Sequence, residues 1–240
     1  DQLADVKSVH ATYCAFSAIK GDGTLVTWGN TDSWVHADQL TNASPVPVIA
    51  NQSYAIIKAD GSVVTWGSTE AKSEISADSN LLIDIKSIFS NGGAFAAIKY
   101  DGSIVTWGEG KRGGDSSLVA DQLKGVISIS VTDSAFAAIK TDGSVVTWGD
   151  YDRGGDSRSL VDLLVEVDSI YAADSAFAAI KTDGSVVTWG SPRWGGNSSA
   201  LLEQLVDVES ITTTSSAFAA LKIDGSVVMW GYSDLLEDIS

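Results

Sequence analysis

The sequence predicts an all-β chain, a six-bladed β-propeller of three-stranded antiparallel blades with long inter-blade crossovers, on three observations. First, one motif recurs six times. Ala135-Phe-Ala-Ala-Ile-Lys-Thr-Asp-Gly-Ser-Val-Val-Thr-Trp-Gly149 has copies beginning at Ala15, Ser53, Ala94, Ala176 and Ala217. The tryptophans Trp28, Trp66, Trp107, Trp148, Trp189 and Trp230 lie 38, 41, 41, 41 and 41 residues apart, a period that marks solenoids, propellers or arrays. Second, each copy is a hairpin with two largely apolar faces, as a sheet wedged between two neighbouring sheets requires. Third, six such periods account for the 240 residues. Asp1-Gln2-Leu3 matches Asp121-Gln122-Leu123 inside a crossover, and Ser240 lies ten residues past Trp230, in the same crossover. A closed ring cut in a surface loop is expected, whereas an open solenoid would show polar caps. Residues 1–240 are therefore expected to form a single β-propeller domain.

Within one period, Val126 to Val131 alternates apolar and small polar residues, Ala135 to Lys140 is short and apolar, and Ser144 to Trp148 is rich in β-branched residues. All three read as strands. Asp142-Gly143 between the second and third suits a tight hairpin turn, and Asp-Gly recurs at 22/23, 60/61, 101/102, 183/184 and 224/225. A two-residue loop places Ile139 opposite Val146 and Ala137 opposite Trp148, all on one face, with Phe136, Ala138, Lys140, Val145 and Thr147 on the other. A three-residue loop with a glycine bulge shifts the partners by one. Alanines beside a Phe and a Trp predict large-into-small packing between successive sheets.

After each Trp-Gly comes a crossover such as Glu109 to Leu123, where Asp115-Ser116-Ser117 is placed to cap one or two helical turns. The second repeat departs from the pattern. Its Ser44-Pro-Val-Pro-Val48 carries prolines that belong on an edge or bulge, and Tyr54 stands where other repeats have Phe.

The net charge of −16, from 31 acidic and 15 basic residues, gives a pI near 4.2. Such a field repels phosphate backbones and anionic lipid, which argues against direct nucleic-acid binding and favours a protein partner with a basic surface. No apolar run approaches the roughly 18–20 residues that span a bilayer, so no membrane insertion is expected. The single Cys14 precludes an internal disulfide. The chain does not begin with Met and is expected to be a processed or excised product.

The repeat strand, Ala-Phe-Ala-Ala-Ile-Lys-x-Asp-Gly-Ser-Val-Val-Thr-Trp-Gly, crossover resembles that of the regulator of chromosome condensation superfamily. Its short period and three strands per repeat are most similar to the β-lactamase inhibitory protein II branch. The resemblance covers essentially the whole chain. It implies a propeller used as a protein-binding platform through rim loops, usually with seven blades, so an incomplete seven-bladed propeller is the alternative. Chromatin-linked members engage nucleosomes and a small GTPase; this chain lacks the basic loop that a DNA contact needs, and neither that role nor β-lactamase inhibition is carried over.

Few residues offer chemistry. His10, His36 and Cys14 lie in the divergent first quarter, and Cys14 replaces Ser134 of the repeat at a strand entry, which favours packing over catalysis or metal binding. The turn aspartates are explained by turn chemistry, and Lys140 and its equivalents by local pairing with them. Gly113-Gly114-Asp115 lacks the spacing of calcium-binding nonapeptides. Glu70, Glu74 and Glu109 are the non-repeating carboxylates a propeller glycosidase would need, without a spacing that pairs them. Asn51-Gln52-Ser53 and Asn197-Ser198-Ser199 fit a glycosylation acceptor.

The residues that vary after Trp-Gly are different in kind. Trp34, Arg112, Tyr151, Arg153, Arg193 and Trp194 combine residue types enriched at interface hot spots. The expected function is a non-enzymatic protein-interaction scaffold or accessory subunit of a larger assembly, without a cofactor. The alternative is a carbohydrate or small-ligand binding propeller, whose contacts should recur at equivalent positions.

Overall fold

The computed structural model describes residues 3–11, 15–29, 47–50, 53–67 and 81–232. Cys14, Trp34, His36, Asn51, Glu70 and Glu74 lie outside the described residues. Two compact units, Asp1–Asp115 and Ser116–Ser240, are each described on their own.

The first unit holds β1 (Val6–Ala11), β2 (Ala15–Lys20), β3 (Leu25–Gly29), β4 (Val48–Ala50), β5 (Ser53–Ile57), β6 (Val63–Gly67), β7 (Ile85–Ser90), β8 (Ala94–Lys99) and β9 (Ile104–Gly108). The second holds β10 (Val126–Val131), β11 (Ala135–Lys140), β12 (Val145–Gly149), β13 (Val167–Ala172), β14 (Ala176–Lys181), β15 (Val186–Gly190), β16 (Val208–Thr213), β17 (Ala217–Lys222) and β18 (Val227–Gly231). Each consecutive trio forms one three-stranded sheet in sequence order, and every pairing is antiparallel. The fold class read from the repeat is the fold observed.

The hairpin register corrects the two-residue-loop expectation. Phe136 faces Trp148, Ala137 faces Thr147, Ala138 faces Val146 and Ile139 faces Val145. The turn is the reason. Gly143 N–H donates to the Lys140 carbonyl (2.9 Å), Lys140 N–H donates to the Ser144 carbonyl (2.9 Å), and Gly143 takes φ +74°. This is a three-residue loop closed by a left-handed glycine, which adds one residue and moves every partner by one. Because side chains alternate along a strand, the shift also changes which residues share a face. Phe136 and Trp148 lie on the same face and stack, with ring centroids 5.1 Å apart and planes 9° from parallel. Ala135, Ala137, Ile139 and Val145 form the other face.

Packing between sheets follows from that division. Ala135, Ala137 and Ile139 contact Phe177, Ala179 and Trp189 of the next sheet, with Leu164 and Val167 closing the cluster. Ala176, Ala178, Ile180 and Val186 meet Phe218, Ala220 and Trp230 in the same way. In the first unit, Ala50, Ala55 and Val63 meet Phe95, Ala97 and Trp107. Large rings of one sheet thus fill the space left by alanines of the sheet before it, as the composition of the motif predicts.

Two features join consecutive sheets. Val167 N–H donates to the Gly143 carbonyl of the preceding hairpin turn (2.9 Å), and Val208 N–H to that of Gly184 (3.0 Å). The residue just before five of the six first strands is left-handed: Asp5 (φ 56°), Asp84 (57°), Gly125 (67°), Glu166 (57°) and Asp207 (56°). Its carbonyl accepts from the hairpin of its own sheet, as Glu166 does from Thr182 N–H (2.8 Å).

The second repeat departs as its prolines predict. β4 has three residues where the other first strands have six, and it starts directly after Pro47. Tyr54 replaces Phe and is fully buried, opposite Trp66 in register. The expected helical turn after Ser116 is a 3-10 helix, Ser117–Gln122, which Ser116 does not cap through its side chain.

Candidate functional site

The variable residues sit where the chain leaves each third strand. Three short 3-10 turns, Gly110–Arg112, Tyr151–Arg153 and Pro192–Trp194, follow Trp-Gly in successive repeats. Their backbones are near copies. The residue before each turn has φ, ψ of −62°, 116° (Glu109), −66°, 121° (Asp150) and −66°, 120° (Ser191), and each turn ends on a left-handed glycine with φ 97°, 100° and 91°.

The Tyr151–Arg153 turn is held on both sides, and each of the other two is held on one. Asn91 Nδ2 donates to the Arg112 carbonyl (2.7 Å) and Thr132 Oγ1 to the Arg153 carbonyl (3.1 Å), which fixes the turn to the loop between the first two strands of its own sheet. From the next sheet, Trp189 Nε1 donates to the Gly154 carbonyl (3.1 Å) and Trp230 Nε1 to the Gly195 carbonyl (3.0 Å). The pairs Gly154-Gly155 and Gly195-Gly196 are therefore packing devices. A Cβ on Gly154 would lie 2.6 Å from Phe177 Cδ2, and one on Gly155 would lie 2.5 Å from the Gly149 carbonyl oxygen.

The five described candidates take different positions on this frame. In the first unit, Arg112 Nε pairs with Glu109 Oε2 (2.8 Å), so that this carboxylate is engaged by its own turn. In the second unit, Tyr151 is 70% exposed. Arg153 is exposed, with Nη1 3.5 Å from Ser175 Oγ. Arg193 is exposed and lies over the Tyr232 ring, 5.0 Å from its centroid, with Nη2 donating to the hydroxyl at 3.3 Å. Trp194 is half-buried and packs on the cluster between the last two sheets. Trp34 lies outside the described residues.

The sequence did not point to three neighbours of this strip. Asp133 N–H donates to the Asp174 carbonyl, and Asp174 N–H to that of Ser215, both at 2.9 Å, which links the inter-strand loops of three sheets. Burial raises the Asp174 carboxyl above its ordinary value, the Asp133 charge adds to this, and Arg153 opposes it. Tyr232 follows the last Trp-Gly, a position the repeat itself marks as variable. On the second unit, then, Asp133, Tyr151, Arg153, Asp174, Arg193 and Tyr232 belong to one end of the sheets and mix aromatic, cationic and anionic groups.

The opposite end carries the hairpin turns. Asp142 Oδ1 accepts from Ser144 N–H (3.0 Å) and Oγ (2.6 Å), and Lys140 Nζ lies 3.3 Å from Oδ2. These hydrogen bonds first, and the lysine after them, lower the Asp142 pKa to about 2. The same serine pairing lowers Asp60, Asp101, Asp183 and Asp224, with Thr24 taking that part beside Asp22. Turn chemistry thus occupies these carboxylates. Among the described residues no three His, Cys, Asp or Glu side chains converge on a metal position, and His10 Nε2 lies 3.0 Å from Ser8 Oγ. A groove of about 370 Å³ at this end is lined by Asp168, Lys181, Asp207, Glu209 and Ile223.

No family model and no curated protein matches the chain. Solved structures do. Prp20p from Saccharomyces cerevisiae, described for its binding to Gsp1p and histones, superposes with a TM-score of 0.50 at 12% identity, over 96% of this chain and 72% of that one. Yeast RCC1 (Prp20) bound to Kap60 gives 0.51 at 13%, over 97% and 71%. The chain has an RCC1-like propeller fold. Human WBSCR16 is similar at 0.50 and 14%, over 94% of this chain and 76% of that one. At these identities the likeness is one of fold. No helix among the described residues is long and apolar enough to cross a membrane.

Proposed function

We infer that the chain is a non-enzymatic protein-interaction scaffold, or an accessory subunit of a larger assembly, that binds its partner through the Trp-Gly end of the sheets. One observation carries this reading: the 3-10 turns share one backbone and differ in side chains. Gly-Lys-Arg, Tyr-Asp-Arg and Pro-Arg-Trp occupy the same three positions. The Tyr151–Arg153 frame, clamped by two hydrogen bonds and a glycine–aromatic contact, presents side chains at little further ordering cost, so residues can diverge for recognition without loss of the fold.

Tyr151, Arg153 and Arg193 are the anchors on the second unit, since they are exposed and of the types that dominate interfaces; Arg112 has that role on the first. With Arg193 over Tyr232, part of the strip is preorganised. The chain's charge of −16 favours a partner with a basic surface and speeds its approach. The similar yeast protein binds Gsp1p and histones and was solved with Kap60, which supports a protein as the ligand class here.

The test is affinity capture of native partners on immobilised protein, comparing Tyr151→Ala and Arg193→Ala with Lys181→Ala at the hairpin end. Expected is at least about a tenfold loss of captured partner for the first two, which corresponds to about 1.4 kcal/mol each, and none for the third. Equal capture by all three would remove the Trp-Gly end as the binding surface.

A further inference from the structure

In the second unit, Asn197-Ser198-Ser199 begins the crossover that follows Gly195-Gly196, and its three side chains are divided between the interior and solvent. The middle one points inward. Ser198 is 5% exposed, its N–H donates to Thr188 Oγ1 of β15 (3.1 Å), and the two hydroxyl oxygens lie 3.0 Å apart. Asn197 and Ser199, on either side, are both exposed. Asn197 Oδ1 accepts from Ser199 N–H (3.0 Å), which closes an Asx turn. That bond uses the oxygen of the side-chain amide, and among the described residues no hydrogen bond engages Nδ2.

The neighbouring repeat shows what the turn itself asks for. Asp156 stands in the equivalent place, and its Oδ1 accepts from Arg158 N–H (2.9 Å). Asp115 is the counterpart one repeat earlier. A carboxylate closes this turn with the same bond, so the amide nitrogen of Asn197 has no part in it. Nor does the turn need a hydroxyl two residues on, since Arg158 stands where Ser199 does. The other acceptor tripeptide, Asn51-Gln52-Ser53, is placed differently. Its Ser53 begins β5 and is 2% exposed, so that hydroxyl is enclosed in the folded first unit.

We propose that Asn197 is a site of N-linked glycosylation, with an oligosaccharide carried on a lipid pyrophosphate as the second substrate. Asn, a middle residue other than proline, and a hydroxyl two residues on are what the transferase reads. In the transfer, Nδ2 forms a bond to the anomeric carbon of the first sugar and gives up one proton. The bond from that carbon to the pyrophosphate oxygen breaks, and the lipid pyrophosphate leaves with the electron pair. The product keeps Oδ1, so the bond from Ser199 N–H survives. The fold loses no contact of Nδ2, and a bulky, solubilising group is added at a surface crossover.

The reaction belongs to a secretory compartment. The full chain is therefore passed, behind a cleavable leader, through the secretory pathway of a eukaryotic cell, and intact glycopeptides are mapped on protein recovered from cells and medium together. Expected is a glycan on Asn197, removed by a peptide amidase that leaves Asp in its place. Asn197→Asp, which installs the residue of the two preceding repeats, abolishes it, as does Ser199→Ala, whereas Ser199→Thr retains it. All three positions of change are exposed, so folding is kept, as circular dichroism checks. Unmodified Asn197 throughout the recovered protein overturns the proposal, as does a glycan at Asn197 that persists in Ser199→Ala.

Discussion

Glu166 takes φ 57° immediately before β13, in a left-handed conformation that costs an L-residue about 1–2 kcal/mol. The repeat shows which residue suits that position: Gly125 occupies it one period earlier with φ 67°. Glu166 is retained by its backbone role, accepting from Thr182 N–H while Val167 N–H reaches Gly143 of the sheet before. Neither bond needs the carboxylate. Glu166→Gly is therefore expected to raise stability by about 0.5–1 kcal/mol in urea unfolding, the relief of strain exceeding the entropy gained by the unfolded glycine. A loss of stability would show that the side chain has a role beyond its backbone. The same reasoning separates the candidate binding residues. Trp194 is partly a packing residue, so its removal lowers stability along with binding, whereas Tyr151 at 70% exposure is free of that confusion.

At the level of one repeat, strand pairing, turn and crossover are interlocked through glycines. Gly154 ends the 3-10 turn at φ +100°, offers its carbonyl to Trp189 and lies against the Phe177 ring. An added Cβ meets both the left-handed backbone penalty and a ring at 2.6 Å. Gly225 in the last hairpin has φ +83° and nothing within 4 Å of the Cβ position. Gly225→Ala is expected to cost about 1–2 kcal/mol from the backbone alone. Gly154→Ala adds overpacking, for a total of about 3 kcal/mol or more. Thermal or urea unfolding of the two variants measures the difference; equal losses would mean that the sheet-to-sheet contact yields freely to the extra methyl.

Across the molecule, the turn aspartates at 22, 60, 101, 142, 183 and 224 act together. Each is held below the ordinary 3.8 by hydrogen bonds from the residue two positions on, Asp142 to about 2. The folded chain binds protons at these sites more weakly than the unfolded chain, so their contribution is present above about pH 4 and is lost as pH falls towards about 2. Asp174 runs the other way: raised by burial, it favours the folded state when protonated, and that contribution is lost as pH rises through its folded value. Six depressed groups outweigh one raised group. Urea midpoints are expected to fall between about pH 5 and about pH 2, and Asp142→Asn, which keeps an acceptor oxygen without the charge, to fall less than the parent. Comparing the two cancels the change in net charge that both undergo. An identical fall would mean that the turn carboxylate is not coupled to folding.

The period of the tryptophans, the Asp-Gly turns and the alanine-flanked aromatics were sufficient to place eighteen strands in six sheets, because local propensity and a repeated pattern of side-chain size act within about fifteen residues of chain. The positions that vary after Trp-Gly were legible as a candidate surface for the same reason: a repeat makes its exceptions visible. Register was not legible. A two-residue and a three-residue turn suit the same Asp-Gly, and only the folded backbone chose the left-handed Gly143 that brings Phe136 beside Trp148. Nor did the sequence reveal the carbonyls that hold Trp189 and Trp230, the left-handed residue before five of the six first strands, or the strip containing Asp133, Asp174 and Tyr232. These depend on backbone groups and loops tens of residues apart, whose meeting is decided by how one sheet is packed on the next.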